Sequence, residues 1–285
     1  MKKRKRNSDI LPELQEERRN LYQELSEEGR QLRNESLSDA VKHIFSLKDD
    51  VATHDEIRDR ILGGGKVTGT NMCVLMLAIL IASVGLNTNS TAVIIGAMLI
   101  SPLMGSILAM AYGTISADGR TTLVHALGFL FQILISVVSS FLFFLLSPLK
   151  SQTTELLART TPTFFDVIVA ICGGLAGIIG QTRKDKANNI IPGVAIATAL
   201  MPPLCTCGYS LANGQWNMLL GALYLFTVNI YFIFCSASII LSVLQIPKVR
   251  SVSDEKWRRL RKSMIRNAIL IAIPSLIIGV LMARG

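Results

Sequence analysis

The chain has 285 residues, of which 50% are hydrophobic and only 17% are charged, and its net charge is +9. This composition excludes an ordinary soluble globular protein and indicates a polytopic membrane protein with a small soluble part. Residues 1–70 contain 14 basic and 14 acidic residues, so the basic excess lies in loops between the later apolar stretches. A nucleic-acid-binding protein would instead concentrate basic residues on one soluble face, and we therefore expect no nucleic-acid partner.

Residues 1–65 are predicted to form a short cytosolic leader of amphipathic helices. The first residues, MKKRKRNSD, are basic and lack an apolar core, so they do not resemble a signal peptide and favour a cytoplasmic N-terminus. Leucines at helical spacing predict one long amphipathic helix, with a coiled coil as the weaker alternative: Leu11, Leu14, Leu21, Leu25 and Leu32. Further amphipathic segments lie near residues 40–45 and 54–62, the latter ended by three glycines.

Residues 66–285 are predicted to form an all-α transmembrane domain. The apolar stretches predict about seven transmembrane helices, at residues 71–86, 91–113, 122–146, 164–181, 190–212, 216–245 and 265–283. The third span is polar along one side, because it contains His125, Gln132 and several serines. Basic residues concentrate in the N-terminus and in loops 182–189 and 246–264, which places these segments and the N-terminus in the cytoplasm.

One stretch of the chain occurs twice in degenerate form. The first copy, residues 87–113, reads NTNSTAVIIGAMLISPLMGSILAMAYG, and the second, residues 186–214, reads KANNIIPGVAIATALMPPLCTCGYSLANG. Pro102 follows Asn89 by thirteen residues, as Pro202 follows Asn189. A proline within a helix removes a hydrogen-bond donor, so each copy predicts a proline-broken helix. Broken segments at matching positions in two halves are typical of a transporter binding site, although two ordinary kinked helices would give the same pattern.

The two copies are predicted to insert in opposite directions. They lie in the second and fifth predicted spans, an offset of three, which is odd, so Asn89 faces the outside and Asn189 the cytoplasm. The likeness continues into the following spans, where HALGFLF from His125 resembles GALYLF from Gly221. We therefore predict an inverted 3+3 repeat, with repeat one at 71–146, repeat two at 164–245 and an appended helix at 265–283. Duplication of a purely structural bundle is the alternative.

Several long motifs resemble a known family. ASVGLNTNSTAVIIGAMLISPLMGSILAMAYG, EIRDRILGGGKVTGTN and NIIPGVAIATALMPPLCTCGYSLANGQWNMLLGALYLFTVNI are similar to the uncharacterised hydrophobic membrane family called domain of unknown function 389. The resemblance covers about residues 55–245. It implies a prokaryotic integral protein of the cytoplasmic (inner) membrane, and it implies no particular substrate.

The candidate substrate path consists of polar residues and prolines near the two breaks and on the adjoining helices. Its members are Asn87, Asn89, Ser90, Ser101, Pro102, Gln132, Asn188, Asn189, Thr198, Pro202, Pro203, Thr206 and Asn229. For Asn229 taken alone, a hydrogen bond between helices is the preferred explanation. His125 is a candidate proton relay or pH sensor, with a hydrogen-bonded interfacial histidine as the alternative.

These patterns predict a membrane transporter or channel for a small ion or polar solute. The alternative is a non-transporting membrane scaffold or sensor that acts through its cytosolic helices. The sequence contains no nucleotide loop, catalytic triad, metal-ligand cluster or paired catalytic carboxylates, so we expect no enzymatic activity, no metal site and no cofactor. The expected partners are the lipid bilayer, the solute and further copies of the chain. Small-residue faces favour a homo-oligomer, most simply a twofold dimer.

Overall fold

The computed structural model describes residues 51–184, 200–249, 258–259 and 262–273. The regular elements in these ranges are α-helices, and an isolated bridge joins Val51 to Arg183. In chain order the helices are α1 (His54–Gly64), α2 (Gly69–Asn87), α3 (Thr91–Leu99), α4 (Leu103–Ile115), α5 (Gly119–Leu146), α6 (Thr154–Ala158), α7 (Phe164–Thr182), α8 (Met201–Ala212) and α9 (Trp216–Val243). Residues 262–273 are also helical. The leader segments predicted before residue 51 lie outside the described residues.

The described helices identify a multi-pass membrane protein. Four of them, α2, α5, α7 and α9, are long and apolar enough to cross a membrane, and α3 with α4 adds a fifth span if the bent pair is counted as one. The four single helices coincide with the first, third, fourth and sixth predicted spans. The fifth predicted span is described only from residue 200 onward, and the seventh only at residues 265–273.

Polar side chains at the helix starts fix where these spans begin. The Thr68 hydroxyl accepts a hydrogen bond from the Asn71 N–H of α2, and the Asp118 carboxylate caps the first turn of α5. At α7 the Asp166 carboxylate accepts from the N–H of Thr163 at 2.6 Å and from its hydroxyl at 2.8 Å. Such caps satisfy donors that the first turn of a helix leaves without partners.

Helix α5 shows how the bundle divides polar from apolar surface. Its buried face contains His125, Phe129, Gln132, Ser136, Ser140 and Phe144. Its exposed face contains leucines, among them Leu123, Leu127, Leu130 and Leu134. In a bilayer the outward face contacts lipid, so polar groups are directed toward neighbouring helices. The polar side noted in the third predicted span is therefore the side that packs inside the protein.

Helices α4 and α8 lie at the centre of the bundle. Every residue from Met201 to Ser210 is buried, and 10 of the 13 residues of α4 are buried as well. Both helices pack against α5 and α9, the two longest helices. The segments that follow the two predicted proline breaks therefore form the core, and the long helices enclose them.

Helix α1 packs onto the membrane helices. Its Ile57 and Ile61 are buried, and it contacts α4 and, more sparsely, α7. The Arg60 guanidinium donates to the carbonyls of Arg183 and Lys184, just beyond the end of α7, and the Ala52 N–H donates to the Thr182 carbonyl at 2.8 Å. These donors satisfy carbonyl groups that the end of α7 would leave free.

Candidate functional site

The first candidate element is the interruption between α3 and α4. The two helices are bent by 46° relative to each other, and the break comprises Ile100, Ser101 and Pro102. Ser101 and Pro102 are half-buried, and the Ser101 hydroxyl oxygen lies 3.5 Å from the Leu103 N–H that it accepts from. Pro102 has no N–H to donate, so the backbone here has fewer hydrogen bonds than a continuous helix would have.

The second candidate element is the start of α8. Pro202 and Pro203 occupy its first turn, where missing N–H groups cost little because the first N–H groups of a helix have no partner within that helix. The Thr206 hydroxyl donates to the Pro202 carbonyl at 3.0 Å, and the Ser210 hydroxyl to the Thr206 carbonyl at 2.8 Å. Both hydroxyls therefore bond within their own helix, and Thr206 is fully buried. Thr206 lines no open surface in this conformation.

A polar cluster connects α4, α5 and the segment before α2. The Ser106 hydroxyl donates to the Gln132 side-chain oxygen at 2.9 Å, and its oxygen also lies 3.4 Å from the Gly65 carbonyl oxygen. The His125 Nδ1 atom lies 3.0 Å from the same carbonyl oxygen. A carbonyl only accepts, so Nδ1 carries the proton in this contact. His125 thus has the hydrogen-bonded interfacial geometry considered as the alternative to a proton relay.

A second cluster lies where α2, α5 and α8 meet. The Ser83 hydroxyl lies 3.2 Å from that of Ser140, and the Ser140 hydroxyl donates to the Cys205 carbonyl at 2.9 Å. All three residues are fully buried. The predicted substrate path did not include Ser83, Ser106 or Ser140. The polar stripe of α5 was the available signal for Ser140, whereas Ser83 and Ser106 are isolated serines in apolar helices.

The candidate residues at the end of α2 form a third group. Asn87 is 7% exposed and donates through Nδ2 to the Ser147 hydroxyl oxygen at 2.6 Å, while its Oδ1 has no partner. Asn89 is exposed, and its Oδ1 accepts from the Thr154 hydroxyl and the Glu155 N–H. Asn89 therefore fastens the start of α6 to the end of α2. Ser90, at the N-terminal boundary of α3, is half-buried and makes no side-chain cap.

The structure does not bring the whole predicted path together. Gln132 belongs to the cluster with Ser106, whereas Asn87 and Asn89 lie in a separate group at the far end of α5. Asn229 is 4% exposed on α9 and has a polar interaction there. The remaining predicted members of the second copy lie outside the described residues: Asn188, Asn189 and Thr198.

Known proteins give a family match without an activity. The family model described as domain of unknown function 389 matches residues 98–235. An uncharacterized protein of Methanocaldococcus jannaschii is 28% identical over 189 residues, which is 66% of this chain and 58% of the relative. The chain thus spans little more than half the length of that relative. No solved structure matches the chain.

Proposed function

We propose from the geometry of the chain that it is a transporter or channel for a small ion or polar solute. The family model described as domain of unknown function 389, which matches residues 98–235, states no activity. The solute passes between two oppositely inserted halves, beside the helices that the prolines interrupt. The observation that carries this proposal is the bent interruption between α3 and α4 inside an apolar span.

Reciprocal packing supports the inverted repeat on which the proposal depends. In the sequence alignment α4 corresponds to α8, and α5 to α9. Helix α4 packs on α5 of its own half and on α9 of the other, whereas α8 packs on α9 of its own half and on α5 of the other. Likewise α2 packs on α5, and α7 packs on α9. Contacts that exchange in this way are expected when a twofold axis relates the two halves.

The segments before α2 and α7 provide a second, independent correspondence. Gly65 and Thr160 each lie four residues before the first long helix of their half. The Gly65 carbonyl contacts His125, and the Thr160 carbonyl contacts Gly221. His125 and Gly221 are the residues that the sequence alignment pairs at the start of HALGFLF and GALYLF. In each half, a carbonyl before the first long helix therefore contacts the residue at the matched position, through the side chain of His125 in one half and at the backbone of Gly221 in the other.

The interruption gives the solute a polar surface at the depth of the span. In hydrocarbon every unpaired backbone group is costly, so irregular backbone within a membrane protein is tolerated only against protein or a water-filled cavity. The N–H groups of Ile100 and Ser101 bond carbonyls only three residues back, at 3.3 Å in both cases, and the next residue is a proline. In the proposed open path, the remaining backbone polar groups of this break form hydrogen bonds with the solute or with water.

Charge distribution favours passage without coupling to a carboxylate. The sequence has no charged residue between Lys66 and Asp118, and none between Lys186 and Lys248. Asp166, at the start of α7, is engaged with Thr163. Ion-coupled carriers usually hold ionisable residues within the bundle. The proposed activity is therefore facilitated passage down a gradient.

Flux through proteoliposomes tests the proposal. Purified full-length protein is reconstituted, and efflux of small ions and neutral polar solutes is measured against empty liposomes. Pro102→Ala permits a continuous helix and is expected to change flux while the protein remains folded, and Pro148→Ala, outside the spans, is the matched control. Flux no greater than in empty liposomes for every solute, at verified incorporation, would count against transport.

The docking of α1 favours the second candidate function, a sensor that acts through the segment before α2. Helix α1 contacts both α4 and the end of α7. A movement of α1 would therefore change contacts with helices of both proposed repeats. Removing residues 1–50 leaves α1 in place. A transporter is expected to retain its flux after this deletion, whereas a sensor that acts through the leader is expected to lose its cellular phenotype.

A further inference from the structure

A half-open cavity of about 310 Å³ lies where α4 and α9 end. Its wall is apolar at Ile115 and Ile246, which are buried. Its rim carries three polar side chains, Ser242, Gln245 and Lys248. The cavity is separate from the interruption between α3 and α4, since it lies at the opposite end of α4. Nothing in the proposed transport path uses these side chains.

The backbone at Gln245 is held in an unusual conformation beside this cavity. Its φ angle is +53°, in the left-handed region that glycine normally occupies just after a helix. The Gln245 and Ile246 N–H groups bond the carbonyls of Ser242 and Leu241, which closes the end of α9. A glycine would make the same closure without strain. A strained residue whose side chain lines a cavity points to a role for that side chain.

The electrostatic balance at the cavity favours an anion. Two helix ends carry partial negative charge there, which by itself favours a cation. However, backbone N–H groups already bond the carbonyls at the end of α9, and the Val249 N–H bonds the Ser116 carbonyl at 2.7 Å. The Asp118 carboxylate, in the same loop as Ser116, accepts from the start of α5. In the sequence, residues 247–266 contain eight basic and two acidic residues, and of these Lys248 lines the cavity.

Lys248 provides the charged donor. It is exposed at the rim and already interacts with another group of the protein, but an ammonium has three donors and can hold a second ligand. The Ser242 hydroxyl and the Gln245 amide add neutral donors on the same rim. An ammonium, an amide and a hydroxyl above an apolar wall match a phosphate that carries an apolar tail.

We propose that this cavity binds a phosphate group, and that its source is the headgroup of an anionic phospholipid. Basic pockets between membrane helices commonly bind such headgroups at the membrane surface that bears the basic loops. Ile115 and Ile246 contact the upper part of an acyl chain, while Lys248 and Gln245 bind the phosphate. The lipid then joins the end of α4, the core helix after the interruption, to the end of α9.

Lipid titration of the full-length protein tests this site. Protein in a zwitterionic detergent is titrated with phosphatidylglycerol, with phosphatidylcholine of the same acyl chains, and with inorganic phosphate, and binding is followed by native mass spectrometry and by the unfolding temperature. We expect saturable binding of phosphatidylglycerol and a raised unfolding temperature, with little response to phosphatidylcholine. Lys248→Met is expected to weaken phosphatidylglycerol binding by about tenfold, equivalent to 1.4 kcal/mol.

Two further variants separate a built site from general charge attraction. Lys66→Met removes the same charge from an exposed position between α1 and α2 and is expected to leave binding unchanged. Gln245→Gly removes backbone strain and a ligand together, so it is expected to raise the unfolding temperature of the lipid-free protein and to weaken lipid binding. A merely structural role for Gln245 would not produce these opposite changes.

The outcomes distinguish the sources of phosphate. Saturable binding of inorganic phosphate that Lys248→Met removes, without preference for phosphatidylglycerol, would support the phosphate site and overturn the lipid assignment. Equal binding of both lipids, or equal losses in Lys248→Met and Lys66→Met, would overturn the site. Transport measurements do not enter this test, so it stands or fails independently of the proposed path.

Discussion

The junction before α2 and the junction before α7 make the same kind of contact in different chemical surroundings. In the first, the Gly65 carbonyl receives polar side chains, His125 from α5 and Ser106 from α4. In the second, the Thr160 carbonyl lies against the bare Cα of Gly221 on α9. Both junctions therefore direct a carbonyl at a later helix, but side chains contact the first carbonyl and helix backbone contacts the second.

Under the proposed repeat, this difference would account for part of the weak sequence likeness between the two halves. A carbonyl that packs against a helix requires either a small residue or a hydrogen-bond donor at the point of contact. His125 meets this requirement as a donor and Gly221 as a small residue. The physical constraint acts on distance and polarity, not on residue identity, so the proposed repeat predicts matched packing even where the matched side chains differ.

Alanine at the tightest glycine of each junction is expected to have the largest effect. A Cβ atom on Gly105 would overlap the Gly64 carbonyl, and a Cβ on Gly221 would overlap the Thr160 carbonyl. Both obstacles are backbone, which cannot rotate away. We expect Gly105→Ala and Gly221→Ala each to lower the free energy of unfolding in detergent by about 1–3 kcal/mol. Similar losses would show that a backbone carbonyl packs tightly on a helix at both junctions.

Gly96→Ala is the matched control for this pair. Gly96 lies within α3, and a Cβ there would have no neighbour within 4 Å. Alanine favours a helix over glycine, so the unfolding free energy is expected to stay the same or rise slightly. If Gly105→Ala is costly and Gly221→Ala is neutral, only the first junction is a tight contact.

The polar cluster of the first junction is expected to contribute less than its glycine. Ser106→Ala leaves the buried Gln132 side-chain oxygen without its hydrogen-bond donor. Gln132→Leu removes that oxygen, so no donor is then required. In a double-mutant cycle on unfolding free energy, we expect a coupling of about 0.6 kcal/mol, with 1.7 kcal/mol as the upper limit seen between membrane helices. A coupling indistinguishable from zero would mean that Ser106 and Gln132 are adjacent without bonding.

The sequence was sufficient to predict the long spans but not their mutual rotation. Apolar stretches of 16 to 30 residues predicted α2, α5, α7 and α9, and the agreement extends to within a few residues at each end. Helix α6 was missed because its five residues lie in a segment assigned as a loop. Its signal is local: Thr153 caps the Leu156 N–H.

The candidate site was predictable only where the spacing of polar residues within a single helix identifies its buried face. The polar stripe of α5 repeats at helical spacing, so its buried face could be read directly from the sequence. Which residues meet that face depends on how α2, α4 and α8 are rotated about their own axes. Spacing within one helix contains no information on that rotation, and Ser83 and Ser106 could therefore not be selected over other serines.

Asn87→Leu is expected to have the smallest effect and tests whether the far end of α5 resembles the polar junction. Asn87 makes one short hydrogen bond to Ser147, but its Oδ1 is buried without a partner. Leucine loses the bond and removes the unsatisfied oxygen, so the two effects offset each other, and we expect a change in unfolding free energy within about 0.5 kcal/mol.

Ser147→Ala is the control, because it leaves both polar atoms of the buried amide unpaired and is expected to cost about 1–3 kcal/mol. Equal losses in the two variants would mean that Oδ1 is satisfied in the membrane by water or a bound solute, and this end of α5 would then belong to the proposed path.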